Sequence, residues 1–401
     1  MRKSWIVAAS MGYGHLRAAL PLLPIAKGGD IVIANDYPGI PAHDRRVWAE
    51  SEQFYNFVSR FREAGGASGR ALFGLFNKLQ AIHPLAPGVN ESGVSWQLRL
   101  LQGQIRGGLG RDLMERLQRD PAPVVTTFFS VGHAAEFWGY PEPTYIVVTD
   151  SDISRVWATA NAAHTRLRYF APTEMAAQHL MQYGVPTGSI VVTGFPLPQT
   201  LTDTAAESFA ERLNRLSSRS ADPVTILFSV GGAGAQSQIG RELVASLASL
   251  IRRGEVRLVL SAGANRFVAE SFKRAIQAVG ADDLVDRGLS ILFAETKAEY
   301  FNSFAASLAR ADLLWTKPSE LSFYAALGLP ILMAPPVGAQ EERNRAWLSE
   351  LGVGLDELDP ASAHEWVPEH IRNGTFAEAA RRGYERMERE GARRIMDAVV
   401  Q

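Results

Sequence analysis

Residues 313–344 read LLWTKPSELSFYAALGLPILMAPPVGAQEERN, and the punctuation of this stretch predicts the binding edge of a parallel sheet. The apolar run 313–315 stops at Thr316-Lys317-Pro318, as a strand leaving a sheet would. Ser319 is placed to cap a helix carrying Leu321, Phe323 and Ala326, with Ser322 in its first turn and Gly328 closing it. A second apolar run, 331–334, ends at Pro335-Pro336, and Gln340, Glu341, Glu342, Arg343 and Asn344 form a polar set beyond it. Strand, helix N-terminus, strand and polar loop then converge at one sheet end, where free backbone N–H groups and a helix dipole favour an anionic ligand.

The same grammar runs through the rest of the chain. Residues 4–10, SWIVAAS, form a buried-strand candidate, and Met11-Gly12-Tyr13-Gly14-His15 is the turn after it. Gly12 and Gly14 let the backbone bend sharply and approach a ligand, and a helix starts at Leu16 that Pro21 and Pro24 kink or shorten. Residues 30–35 give a second strand with Asp36 at its carboxyl end, placed to assist His15 or hold a ligand hydroxyl, or to form a turn. Strands at 124–128 and 144–148 lead into Ser130-Val-Gly-His133 and Thr149-Asp150-Ser151-Asp152. The last pair of carboxylates has the spacing of a divalent-metal and diphosphate site, against which stands a role for Asp150 in lining a cleft. A strand at 166–172, a helix at 173–183 and a strand at 190–193 complete this half, followed by Gly194-Phe195-Pro196-Leu197-Pro198.

The second half restarts with a strand at 224–230 and the turn Gly231-Gly232-Ala233-Gly234-Ala235, whose amides form a nest for phosphate oxygens. A helix follows from near Ser237, then strands at 258–261, before Gly263-Ala264-Asn265, and at 289–293. Helices at 377–389 and 392–399 end the chain. Strand–helix alternation of this kind predicts the α/β class with doubly wound parallel sheets, and two glycine turns, each after the first strand of its half, predict two such domains.

The stretch 313–344 resembles the nucleotide-sugar site of inverting glycosyltransferases with two facing Rossmann-like domains, the GT-B fold. Within that fold the resemblance is to the lipid II N-acetylglucosaminyltransferase and monogalactosyl- and glucosyl-diacylglycerol synthase group. The family pattern K-P-G-G-L-T, then E-A, G-x-P and G-Q-E with a nearby N is matched by Lys317, Pro318, Leu321, Gly328, Pro330, Gln340, Glu341 and Asn344. Ser319-Glu320 replace the glycine pair, the acid of E-A is missing near Tyr324-Ala325, and Ala339 replaces a glycine. Gly12 to Ala18 is similar to the first loop of the same group, G-x-G-H-x-R-A.

The resemblance implies an acceptor-binding domain over 1–200, left at a V-T-G-x-P through a linker near 195–205, a nucleotide-sugar domain over 201–376, and C-terminal helices, 377–401, that cross back to the first domain. It implies metal-independent, inverting transfer of a sugar, from a UDP-sugar as co-substrate with no further cofactor, to a hydroxyl on a lipid or small molecule. His15 is then the candidate base with Asp36 and Asp150 beside it, and His133 the competing base on the acceptor side. The donor-binding candidates are Gly12, Gly14, Gly231, Gly232, Gly234, Asn265, Thr316, Lys317, Ser319, Ser322, Gln340, Glu341 and Asn344. Lys317 and the Gly231 and Gly232 amides would meet the diphosphate, Gln340 and Glu341 the sugar hydroxyls, and Glu320 would replace the missing ribose ligand. Alternatives are a nucleotide-sugar epimerase or hydrolase of the same fold and a catalytically silent nucleotide-sugar-binding protein, the latter resting on the altered Ser319-Glu320 site. A dinucleotide oxidoreductase is disfavoured because neither glycine turn completes G-x-G-x-x-G with an acid about 20 residues later.

Composition narrows the partners. The chain has 401 residues, 46% hydrophobic and 21% charged, which describes a globular protein with room for two cores. A net charge of -1 gives no general attraction to nucleic acid or to anionic membranes. The absence of cysteine excludes disulfides, thiolate metal sites and a cysteine nucleophile. No run of about 18 or more apolar residues is present, and the apolar stretch near Trp5 is too short for a secretory segment, so a cytoplasmic location is expected. Residues 70–78, RALFGLFNK, mix aromatics with basic groups as a segment touching the inner face of a membrane would. The helical spacing of Leu72, Phe73, Leu75, Phe76 and Leu79 instead favours a core face.

Overall fold

The structure, a computed structural model, describes residues 3–51, 93–217, 220–231, 234, 236–336 and 338–400. Gly232 and residues 70–78, singled out in the sequence, lie outside the described residues. The chain divides into two compact units, Met1–Pro198 with Gly338–Arg343 and Glu388–Gln401, and Gln199–Val337 with Asn344–Met387.

The first unit holds six parallel strands in the order β2-β1-β3-β4-β5-β6. They are β1 (Ser4–Ala8), β2 (Ala26–Ile33), β3 (Val124–Thr126), β4 (Thr144–Val147), β5 (Arg168–Ala171) and β6 (Ile190–Val192). β3 and β4 are buried at every position, as apolar strands covered on both faces must be. The helices that position the site are α1 (Gly14–Ala19), α2 (Phe129–Phe137) and α3 (Glu174–Gln182). Thr173 caps α3, its hydroxyl accepting from the Ala176 N–H. α1 is short for the reason its prolines suggest: the chain continues as a 3-10 turn through Leu20–Ile25.

The second unit has six parallel strands in the order β12-β11-β10-β7-β8-β9. These are β7 (Val224–Ser229), β8 (Val256–Gly263), β9 (Leu289–Phe293), β10 (Leu313–Thr316), β11 (Ile331–Met333) and β12 (Gly354–Asp356). Read from its far edge, the sheet has the relative strand order 3-2-1-4-5-6 of dinucleotide-binding folds. Its core joins Phe228, Leu258, Leu260 and Trp315 from the strands to Leu243, Leu247 and Phe272 from α4 (Ser237–Arg252) and α5 (Arg266–Ala278). α6 (Ala339–Leu351) starts in the stretch that clusters with the first unit, α7 (Thr375–Arg386) lies in the second unit, and α8 (Gly391–Val400) lies in the first.

Three local expectations are corrected. β2 starts at Ala26 rather than Asp30, because Gly28 and Gly29 adopt φ of +77° and +81° and the register with β1 slips between Ser4 and Ile6. That bulge carries no apolar alternation to read. The segment after Ser319 is a 3-10 helix, Glu320–Leu327, and the Ser319 side chain makes no cap bond. Seven of its residues, Leu321 to Leu327, are buried, so packing on several sides replaces the one-faced α-helix that the spacing suggested. β12 has only three residues, of which none is buried, and no strand was expected there.

Candidate active site

In an open parallel sheet, ligands bind beyond the carboxyl ends of the strands where the winding direction reverses. In the first sheet that point lies between β1, which is followed by β2 on one side, and β3 on the other. The loops there are 9–13 and 127–128, and they are joined through His15 at the start of α1. His15 Nδ1 is 2.7 Å from the Thr127 carbonyl oxygen, and the Thr127 hydroxyl donates back to the His15 carbonyl at 2.9 Å. A carbonyl only accepts, so Nδ1 carries the proton in this contact, and in the neutral ring Nε2 becomes the acceptor nitrogen. The Thr149 hydroxyl stands 3.5 Å from Nδ1, and Phe128 meets the imidazole edge-on with centroids 4.6 Å apart. Gly12 takes φ +85°, the left-handed bend the turn requires, and Gly14 is the first residue of α1.

The other first-unit candidates are placed differently. Asp36 is exposed in the turn after β2, its N–H donating to Ile33 O. It is the neighbouring Asn35 whose side chain reaches the β1 loop, accepting from the Ser10 N–H at 2.8 Å. His133 lies within α2, buried, with Nε2 3.3 Å from Trp157 O. Burial pushes its pKa down to about 4, so it sits neutral inside the packing of helix on sheet. Asp150, half-buried, follows β4 and accepts from Gln340 Nε2 at 3.2 Å, Gln340 being in the Gly338–Arg343 stretch of the same unit. Asp152 is buried against His179 at 2.5 Å, so the two carboxylates of the D-x-D spacing serve different partners. Glu341 is buried one residue from Gln340.

In the second unit the reversal lies between β7 and β10. The residues after those strands meet: a Cβ built on Gly231 would stand 2.9 Å from Lys317 Cε. The Gly231 turn closes with the Gly234 N–H donating to Gly231 O at 2.8 Å, and Gly234 takes φ +78°. Asn265 caps α5, accepting from the Val268 N–H at 3.2 Å, and a Cβ on Gly234 would fall 3.0 Å from its Nδ2. The Thr316 hydroxyl donates to Ser229 O at 3.2 Å, tying the two strand ends together. Ser319 and Glu320 are half-buried at the start of the 3-10 helix, and Ser322 is fully buried, its hydroxyl without a hydrogen-bond partner among the described residues. Asn344, buried, donates to Pro318 O at 3.1 Å and so fixes the Lys317-Pro318 turn. Sequence reading missed Thr127 and gave Thr149 and Asn35 no role of their own, because nothing in a local motif says which strand ends become neighbours.

Two doubly wound parallel sheets, each with a glycine turn at its reversal point, define the class: this is the GT-B fold. The S. aureus MnaA–UDP co-structure matches it with a TM-score of 0.50 at 14% identity, covering 100% of this chain and 96% of that one, a likeness that shows the fold alone. In sequence the chain is similar to the processive diacylglycerol beta-glucosyltransferase of Bacillus pumilus (strain SAFR-032), 24% identical over 234 residues, 58% of this chain and 54% of the relative. It is likewise similar to the processive diacylglycerol beta-glucosyltransferase of Bacillus cytotoxicus (strain DSM 22905 / CIP 110041 / 391-98 / NVH 391-98), 25% identical over 262 residues, 64% of this chain and 62% of the relative. The chain spans about half the length of the first of these curated relatives. A family model described as Domain of unknown function (DUF6938) matches residues 185–372. The resemblance stated on Lys317 to Asn344 and on Gly12 to Ala18 is therefore borne out: the chain is similar in sequence to proteins named as diacylglycerol glucosyltransferases, and its two sheets have the expected GT-B fold. Among the described residues no helix is long and apolar enough to cross a membrane.

Proposed function

We propose that this chain is a glycosyltransferase that moves a sugar from a nucleotide-diphosphate donor, a UDP-sugar, to a hydroxyl acceptor, with inversion and without a metal or other cofactor. The observation that carries this reading is the tautomer of His15, whose Nδ1–H is committed to Thr127 O and whose Nε2 is thereby the accepting nitrogen. The acceptor hydroxyl gives its proton to Nε2 while its oxygen bonds the anomeric carbon. The bond from that carbon to the diphosphate oxygen breaks, its electron pair leaves on UDP, and the anomeric centre inverts. Charge growing on the diphosphate is met by Lys317 and the amides of the Gly231 turn. Gln340 and Glu341 take sugar hydroxyls, Glu320 the ribose, and the Gly263-Ala264-Asn265 turn the base. The named activity of the relatives supports a lipid hydroxyl of the diacylglycerol kind as acceptor; an acceptor met at the inner face of a membrane by a cytoplasmic chain is part of the same proposal.

Labelled UDP-glucose, UDP-galactose and UDP-N-acetylglucosamine, each with diacylglycerol in mixed micelles, test the proposal. His15→Gln should cut transfer by about 10²–10⁴ while UDP still stabilises the protein, a ligand at about 100 times its dissociation constant adding about 2.7 kcal/mol. Donor interconversion without acceptor would replace the transferase with an epimerase. UDP binding without turnover would leave the silent binder, and no stabilisation by any nucleotide would refute the donor site.

A further inference from the structure

The D-x-D carboxylate that the proposed chemistry does not use, Asp152, is one of the most thoroughly buried charges in the first unit, 1% exposed. Its Oδ1 accepts from the Ile153 N–H at 2.8 Å and lies 2.5 Å from Nδ1 of His179, itself 1% exposed, on α3. Its Oδ2 is buried with no hydrogen-bond partner among the described residues. A buried carboxylate oxygen left in that state costs several kcal/mol unless a cation stands close. Among the described residues the guanidinium in range of Oδ2 is that of Arg343, whose Nε is 3.7 Å away and whose side chain is 31% exposed.

The loop around Asp152 is itself pinned to α3. The Thr173 hydroxyl donates to Ser151 O at 2.6 Å and the Tyr183 hydroxyl to Ile153 O at 2.8 Å. Asp152 is thus a fixed seat. Arg343 and Gln340 are three residues apart in the first turns of α6 and share one face of it. Whatever holds Arg343 therefore sets where Gln340 can go, and Gln340 is the residue that donates to Asp150.

We propose that Asp152, backed by His179, is a positioning residue: it seats Arg343, holds the Gly338–Arg343 stretch at the Asp150 loop, and so presents Gln340 and Asp150 together to the hydroxyls of the transferred sugar. The sugar part rests on the donor reading of Gln340 given above; the seating of Arg343 does not. Asp152→Asn, His179→Gln and Arg343→Met act on one device, so each should weaken binding of the preferred UDP-sugar about tenfold, equivalent to about 1.4 kcal/mol, and the double change at 152 and 343 should be no worse than either alone. Binding of UDP itself, which lacks the sugar, should stay within about twofold, a separation that general loosening of the fold would not give. Arg343→Lys should recover part of the loss.

The experiment measures UDP, UDP-glucose, UDP-galactose and UDP-N-acetylglucosamine binding by calorimetry on the full chain, with amide hydrogen exchange followed over 338–343. Faster exchange there in Asp152→Asn and Arg343→Met, with selective loss of UDP-sugar over UDP, supports the proposal. Unchanged exchange over 338–343 overturns the seat, and equal loss of UDP and UDP-sugar overturns the sugar role. Should wild-type protein bind no UDP-sugar while the variants still exchange faster, the donor reading and the sugar role fall and the seat stands. Arg343→Met, altered from a partly exposed side chain, keeps the test decisive if the buried Asp152 variant fails to fold.

Discussion

Glu357 offers a prediction in which sign and size both follow from the structure. It sits just past β12, where its N–H donates to Met333 O at 3.0 Å and its Oε2 accepts from the Trp315 indole at 2.5 Å. Burial first, and then the charge of Glu242, push its pKa up from 4.5 to about 7, against the pull of the Trp315 bond. A carboxyl raised in the folded state binds its proton there while the unfolded chain has already released it. Stability is therefore fully present below about pH 4.5 and is lost as pH rises towards about 7. The full displacement is worth about 3 kcal/mol at about 1.36 kcal/mol per unit of pH, and solvent screening of a half-buried group leaves about 1–2 kcal/mol. Glu357→Gln keeps an oxygen for Trp315 and removes the titration. At pH 8 it should stabilise the second unit by that amount, about 2–8 °C in Tm for a domain of 150–250 residues. At pH 4.5 it should change little. Scanning calorimetry of both proteins from pH 4.5 to 8.5 decides the matter. A difference in Tm that does not change with pH, or a variant less stable at pH 8, would refute the reasoning.

Gly231→Ala should leave Tm unchanged, because the added Cβ, 2.9 Å from Lys317 Cε, meets only a flexible side chain, yet it should lower UDP affinity about tenfold by moving Lys317, as calorimetry would show. Gly391→Ala has no such escape: its Cβ would fall 2.4 Å from Phe195 O and 2.6 Å from Gly194 O, and a loss of about 1–3 kcal/mol or more should appear in the urea midpoint of the first unit. Gly103→Ala, in a helix with nothing within 4 Å of the new methyl, should instead raise stability by about 0.5–1 kcal/mol. Arg212→Met should cost about 3–5 kcal/mol, since the buried guanidinium donates to the carbonyls of Ala311, Leu327 and Gly328 and so closes the end of the 3-10 helix; a change below about 0.5 kcal/mol would contradict that account.

Much of the fold was legible because a strand buried on both faces writes itself as an uninterrupted apolar run. β7 and β10, buried at every position, lie where VTILF and LLW said they would, within a residue or two at each end. β2 and β12 escaped for physical reasons: one begins in a glycine bulge, and the other is a three-residue strand with no buried position. The helical character after Ser319 was visible in its apolar content, but the choice of 3-10 over α was made by burial of Leu321 through Leu327 on all sides, including Arg212 drawing on the carbonyls at its end. The residue types at the candidate site were legible as motifs; their company was not.

That difference has one cause. Strand order in a parallel sheet is set by crossover connections, and no residue within a strand records which neighbour it will take. Gly231 and Lys317, 86 positions apart in sequence, become neighbours only because β10 pairs with β7 rather than with β9. His15 finds Thr127 only because β1 pairs with β3 as well as with β2. In both sheets the reversal of winding selects two loops out of six, and each selected pair contains one of the glycine turns that the sequence had already singled out. A glycine turn alone is a weak sign, since it needs only a bend. A glycine turn at the reversal point with a lysine or an oriented imidazole set beside it by strand pairing is a stronger one, because local backbone demand and sheet topology are independent constraints that here meet at the same atoms.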